Sequence, residues 1–596
     1  MRTRQLLIPS LVASALLSTL SCSAFAADNL LSNGDAEAAA VGEAPPHWLK
    51  HGYDGKEGYP TDFELLTVAG GRSGSRAISF VCPPQGYVWN YVQQHVAIDV
   101  DPSKRAVFSA WLRADEPMDG VGFHLYLTPR GDKEGGSSAR SVVAVTTDWQ
   151  KFDISLEFGL LSASDPRGYN LRPIVQINSR GKRLYVDDAE LILADTRITP
   201  QVRAALNVAK AILPADVRVV SAPIGITGGI VARPDGSLLA FTSDFGLRRS
   251  ADGGLTWSDR EPIAVDDPLN MITGVVQMRD GTIGIHTESW NQPAYFWKSS
   301  DGGKTWSKRI QMGPKGAPLH GNVMIETRDG RLVIPMREGH SVHGGLWEGA
   351  GAFGTVDGKR VLTEGHAHAM EMDISFVYFS TDKGNSWSRS QGDIIIWKDD
   401  GLGGMWPCDE PNVAELSDGR LIMFLRTTLG RLYQTFSSDG ARRWDYPTAT
   451  DLPSSYSPCS LERIPENDHT VAAGRAGHLV CVWNNVSNDE IKRGFRRGRL
   501  SVAVSTDDGH TWTHAKTVDA AGLPPISGIA PLSEPAMVRA EKDLGELPMP
   551  FGAVDYPDIA FAGDKVLIKY GKNFKKPEVG LGGQLVIAPI DWLYRD

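Results

Sequence analysis

The sequence predicts an all-β protein, a six-bladed β-propeller preceded by a β-sandwich. Three observations predict it. A short motif built from Ser, Asp, Gly and Trp recurs five times in the C-terminal two-thirds of the chain. Asp-Gly turns followed by apolar strands recur between those motifs. The N-terminal third reads as short alternating strands with no helix-period segment among them.

The chain of 596 residues is too long for one core, so two or three domains are expected. The formal net charge of −10 and a pI near 5.8 argue against a nucleic-acid partner, which would need a basic face. Residues 1–26 read as a processing signal. Arg2 and Arg4 give a positive start, residues 6–20 are mostly apolar, and Ala24-Phe25-Ala26 is a small-x-small cleavage pattern. A secreted or periplasmic protein is therefore expected. Cys22 weakly resembles a lipoprotein cleavage site, but Thr19 fits that pattern poorly. No other segment is apolar enough to span a membrane. Cys82, Cys408, Cys459 and Cys481 form no C-x-x-C pair and are read as buried thiols.

Residues 27–195 form the expected sandwich, with strands such as 76–80, 107–112 and 152–156. A linker helix follows, within 196–213: Thr199-Pro200 is an N-cap with Pro at the first helical position, and Val202, Leu206, Ala209 and Leu213 recur at helical spacing. The propeller occupies 214–596. Its motif S-x-D-x-G-x-[ST]-W begins at Ser250, Ser299, Ser380 and Ser505, with a degenerate copy at Ser437 where Ala441 and Arg443 replace Gly and Thr. The Asp and Ser side chains are expected to bond backbone groups within a tight turn, Gly to take the left-handed position, and Trp to pack, largely buried, between neighbouring sheets. The motif is structural and carries no chemistry. Asp-Gly turns at Asp235, Asp280, Asp329 and Asp418, a variant at Asp564, and an irregular turn near Asn467 count six blades. The third blade carries a long insertion, about 338–372.

The motif resembles the Asp boxes of the sialidase (neuraminidase) superfamily. The last three blades also resemble that family residue by residue. Glu410 stands sixteen residues before Arg426 across the turn at Asp418, Arg497 precedes a strand that enters a box, and Tyr556 stands eight before Asp564. The resemblance implies Tyr556 as nucleophile, Glu410 as its base, and Arg426 and Arg497 as a grip on a substrate carboxylate. A tyrosine avoids the repulsion that an anionic nucleophile would meet beside such a carboxylate.

Two departures stand out. Ile226 occupies the place of the family's first-blade arginine, for which Arg337 is a candidate replacement from another blade. The loop that supplies the family's catalytic Asp is short, and Asp244 is its only carboxylate, hence the acid/base candidate; a turn-forming Asp is the alternative. His320, His366 and His368 are read as histidines around a sugar pocket. The H-x-H pair with Glu371 also has the spacing of a metal site, although no metal is assigned there. Trp406, just before Glu410, is expected to be a sugar-stacking wall.

Residues 29–37, 107–112 and 184–191 resemble jelly-roll carbohydrate-binding modules. That resemblance implies a jelly-roll β-sandwich, and a structural calcium held by Asp35, Glu37 and Asp188; solvated turn carboxylates are the alternative. Tyr87, Trp89 and Tyr91 alternate on one face, where they either stack on sugar or pack within the sheet. The leading expectation is an exported exo-glycosidase acting on a glycan with a terminal acidic sugar, with retention through a tyrosyl-enzyme intermediate and no cofactor. The rivals are a propeller polysaccharide lyase acting on uronates, with Tyr or His as base, and a non-catalytic glycan-binding propeller.

Overall fold

The computed structural model describes residues 28–595 except 52–62, 82–89, 131–136, 161–167, 178, 180, 199–206, 226–227, 244, 267–270, 289–292, 315–322, 341–352, 357–358, 363–371, 399–403, 494, 533–550 and 577. The sandwich consists of a six-stranded and a five-stranded antiparallel sheet. Alternation explains it. Ile78 and Phe80 from one sheet, and Phe123, Leu125 and Leu127 from the other, turn the same parity inward and enclose a core drawn entirely from residues 30–193. Glu157, buried at the sandwich edge, accepts from Thr196 Oγ1 at 2.6 Å and Arg197 N at 3.1 Å, tying down the chain as it leaves the domain.

Two of the expected calcium ligands bond the same stretch, residues 72–76. Glu37 accepts from Ser75 Oγ and Arg76 N, whereas Asp188 is held by Arg72 and Ser73. Among the described residues no group of three or more His, Cys, Asp or Glu side chains is placed to hold a metal ion. Tyr87 and Trp89 lie outside the described residues, and Tyr91 sits in strand Asn90–Gln93. The linker contains a helix at Val208–Ile212, whose Ala209 N–H donates to buried Asp519 Oδ1 at 3.1 Å; the expected cap at Thr199-Pro200 lies outside the described residues.

Six four-stranded antiparallel sheets follow. The sixth takes its outermost strand from the start of the domain: Arg218–Ser221 pairs with Glu578–Pro589, Arg218 opposite Ile587. Ile224 and Leu238 of the first blade pack with Leu567 and Leu585 of the last across the closure. This explains five boxes for six blades. Each box joins the third strand of a blade to its fourth, and in the sixth blade that connection does not exist.

The boxes form as expected. In the second, Ser299 Oγ donates to Asp301 at 2.8 Å and accepts from Gly303 N at 2.9 Å, and Asp301 accepts from Thr305 N at 2.9 Å. Gly303 has φ +86°, the left-handed region that Gly adopts without steric cost. The box tryptophans are largely but not fully buried, as the motif predicts. Three of them meet an aromatic ring of the preceding blade: Trp306 on Phe241, Trp387 on Phe296, Trp512 on Phe424.

The third-blade insertion joins strands Leu332–His340 and Met372–Ser380, and its described residues pair Phe353–Val356 with Lys359–Leu362. Cys408, Cys459 and Cys481 are buried free thiols; Cys82 lies outside the described residues.

Candidate active site

In an antiparallel blade the first strand starts, the second ends and the third starts at one face of the ring; the boxes, at third-strand ends, lie at the other. Asp409 and Glu410 begin the first strand of the fourth blade, Asp409–Glu415, and Arg426 ends the second, Leu421–Arg426. Arg497 immediately precedes the third strand of the fifth blade, Arg499–Ser505. Tyr556 lies in the first strand of the sixth, Phe551–Ala562. Ring closure brings these positions together across 146 residues: the Tyr556 hydroxyl donates to Glu410 Oε1 at 3.3 Å.

Both partners sit on strained backbone. Glu410 has φ +34° and Tyr556 φ +51°, in the left-handed region that non-glycine residues rarely occupy. Each lies at a bulge, where the register shifts between Asp409 and Asn412 and between Asp555 and Asp558. Each is preceded by Asp and followed by Pro, and Pro has no N–H to leave unpaired where the ladder is interrupted. The matching runs Asp409-Glu410-Pro411 and Asp555-Tyr556-Pro557 therefore aim two side chains of the same parity at one point. That repeat was visible in the sequence and would have marked Asp409 and Asp555, which sequence reasoning missed.

Around this pair lies a buried charge network. Arg426 Nη1 bonds Glu410 Oε2 directly and lies 3.8 Å from Asp409 Oδ2. Its guanidinium stacks on Tyr456 at 3.7 Å from the ring centroid, and the Tyr456 hydroxyl donates to Asp409 Oδ2 at 2.5 Å. Arg337 is indeed in the cluster, but it is paired with Asp373 at 3.0 Å and Asp409 at 3.2 Å. Arg497 bonds Asp555 at 2.9 Å and lies 5.1 Å from the centre of the Tyr556 ring. Tyr456, Asp373 and these ion pairings had no local signal in the sequence.

Burial and neighbours shift the charges. Burial opposes ionisation of Arg337 and Arg426, but the facing carboxylates outweigh it and raise both above the ordinary arginine range. Burial, then the Asp409 charge, push Asp373 up to about 7. Asp409 is held below the usual carboxylate value: burial works against this, and Arg337 and Arg426 outweigh burial. Burial and the Glu410 charge raise Tyr556, which keeps the phenol neutral at rest.

Trp406 is not a sugar wall. It is 2% exposed and packs with Ile396, Cys408 and Val413 in the core between the third and fourth blades, because its strand turns that parity inward. Asp244, His320, His366 and His368 lie outside the described residues, as does Ile226.

Residues 282–568 match the model of the BNR repeat-like domain. The propeller therefore carries a BNR repeat-like domain. A sialidase from Micromonospora viridifaciens is 26% identical over 305 residues, covering 45% of this chain and 40% of that protein. The chain thus spans about two-fifths of the length of that relative. Among solved structures, the NanB sialidase from Streptococcus pneumoniae is similar over 84% of this chain and 99% of its own, at 11% identity and a TM-score of 0.39. The intramolecular trans-sialidase from Ruminococcus gnavus is similar over 62% of this chain and 95% of its own, at 12% identity and a TM-score of 0.36.

Proposed function

We propose that the protein is a glycoside hydrolase of the sialidase superfamily that cleaves a terminal sugar from a glycan with retention. Tyr556 is the nucleophile and Glu410 its base. The observation that carries this reading is the Tyr556 hydroxyl facing Glu410, with both residues held on left-handed bulges of matching sequence. Strain of about 1–3 kcal/mol at each position persists only where surrounding structure enforces it, and such positions cluster at active sites. In the first step Glu410 takes the phenol proton, the phenolate oxygen bonds the anomeric carbon, and the glycosidic bond breaks. The leaving oxygen takes a proton from an acid, for which Asp244 remains the candidate. Water then attacks the anomeric carbon and gives its proton to that group's conjugate base. The phenolate leaves and recovers its proton from Glu410. Arg426 fixes the Glu410 carboxylate, and Arg497, beside the Tyr556 ring, steadies developing phenolate charge.

The N-terminal sandwich fits a module that keeps the enzyme on its glycan, and residues 1–26 fit an export signal. Proton NMR of the first sugar released tests the stereochemistry: the anomer should match that of the substrate. Peptide mapping after trapping with a fluorinated analogue of the cleaved sugar should place the label on Tyr556. An inverted first product, or a label on a carboxylate, would overturn the assignment.

A further inference from the structure

The arginines of the site are already spoken for. Arg337 faces Asp373 and Asp409, Arg426 faces Glu410 and Asp409, and Arg497 faces Asp555. Among the described residues, then, three guanidiniums meet four carboxyl groups. With Asp373 protonated the cluster is neutral; with Asp373 ionised it carries one negative charge. Neither state leaves a surplus cation for a substrate carboxylate. Lys569, which reaches the carbonyl of Gly228 beside the position of the missing first-blade arginine, is itself paired with Asp558 at 2.5 Å.

The depth of the pairs makes them costly to open. The Asp373, Asp409, Glu410 and Arg426 side chains are only 2–4% exposed. If an arginine turned to a substrate carboxylate, a buried carboxylate would lose its partner, a change of several kcal/mol. The incoming anion would also meet like charges within the same low-dielectric space. A sugar hydroxyl faces neither cost, because it can donate to a carboxylate and accept from a guanidinium at once. The Arg497–Asp555 pair, the most exposed at 15% and 11%, offers such a paired donor and acceptor beside Tyr556.

Building on the glycosidase reading, we propose that the site takes an uncharged terminal sugar of a neutral glycan, not a sialic acid or a uronate. The tyrosine then has a reason independent of any substrate carboxylate: a neutral phenol adds no fifth anion to a cluster that already holds four carboxyl groups.

The test uses the full chain and probes matched in shape but not in charge. Titration calorimetry compares N-acetylneuraminic acid with its methyl ester, glucuronate with glucose, and galacturonate with galactose. At least one neutral member should bind about tenfold or more tighter than its acidic partner. Tighter binding of the acid in any pair, or silence towards every pair, overturns the proposal. The double variant Asp373→Asn/Asp409→Asn leaves three guanidiniums facing two carboxylates, and should improve binding of N-acetylneuraminic acid by about tenfold; a folded variant without that gain counts against the charge-balance reasoning. A second arm measures turnover of aryl glycosides by wild type and Tyr556→Phe. Tyr556-dependent cleavage of acidic glycosides alone sinks the neutral-sugar inference but keeps the glycosidase reading. Cleavage of neutral glycosides that survives Tyr556→Phe sinks the tyrosyl mechanism but keeps the substrate class.

Discussion

Tyr556→Phe separates chemistry from folding more cleanly than any other change at the site. Glu410→Gln also removes the base, but it strips Arg426 of its partner in a buried position, and uncovering such a charge costs about 3–5 kcal/mol. Tyr556→Phe deletes one oxygen from a half-buried ring. The hydrogen bond lost, to Glu410 at 3.3 Å, is long, so its net contribution is about 1 kcal/mol or less. That is roughly a fivefold change in the folding equilibrium, against a total stability of about 5–15 kcal/mol. The variant should melt within about 4 °C of wild type. Its kcat should nevertheless fall by about 10³-fold or more, as expected when a nucleophile is removed. That loss corresponds to about 4 kcal/mol of barrier, which unfolding on this scale cannot supply. The assay pairs a thermal melt with steady-state hydrolysis of the best aryl glycoside, and calorimetry confirms that the sugar still binds. A variant that keeps more than about a tenth of wild-type kcat refutes the tyrosyl nucleophile. A melt lowered by much more than about 4 °C shows that Tyr556 is a packing residue.

Three further outcomes are expected. Gly384→Val should lower the melting temperature, by about 1–3 kcal/mol of stability, because Gly384 has φ +77° and a Cβ there would stand 2.3 Å from Phe296 of the preceding blade; an unchanged melt would show that the box turn can relax. Residues 28–198 expressed alone should give a folded sandwich, with dispersed NMR signals and a cooperative melt, since its core lies wholly within that segment; a product that orders only with the propeller present would contradict this. Asp373, raised to about 7 from 3.8, holds its proton more tightly folded than unfolded. Its contribution to stability is therefore fully present below about pH 4 and is lost as pH climbs towards 7. Asp409, depressed, acts in the opposite sense and loses its contribution only as pH falls below the ordinary Asp range. Melts between pH 5 and 8 should show the decline, and Asp373→Asn should flatten it; an equal slope in the variant would assign the effect elsewhere.

The sequence by itself determined whatever is encoded over a few residues. Each Asp box closes on side chains at most seven positions apart, so Ser299, Asp301, Gly303 and Trp306 specify their turn without help from the rest of the chain. Counting those turns yields the blades, and constant placement relative to each turn puts Glu410 and Tyr556 at one face. The strands of the sandwich were legible for the same reason, since their alternation is local. Other features needed the closed ring. Whether Trp406 faces sugar or core depends on which sheet covers its strand, and an aromatic near a candidate site reads the same either way. Arg337 was recognised as a member of the cluster, but its commitment to Asp373 and Asp409 was invisible, because those carboxylates come from a strand beyond the insertion and from the next blade. The charge state of the site is likewise a tertiary property. Four carboxyl groups and three guanidiniums from four blades share one buried volume, and whether they balance is decided by low-dielectric interactions between groups up to 218 residues apart in the chain, Arg337 and Asp555 at its ends.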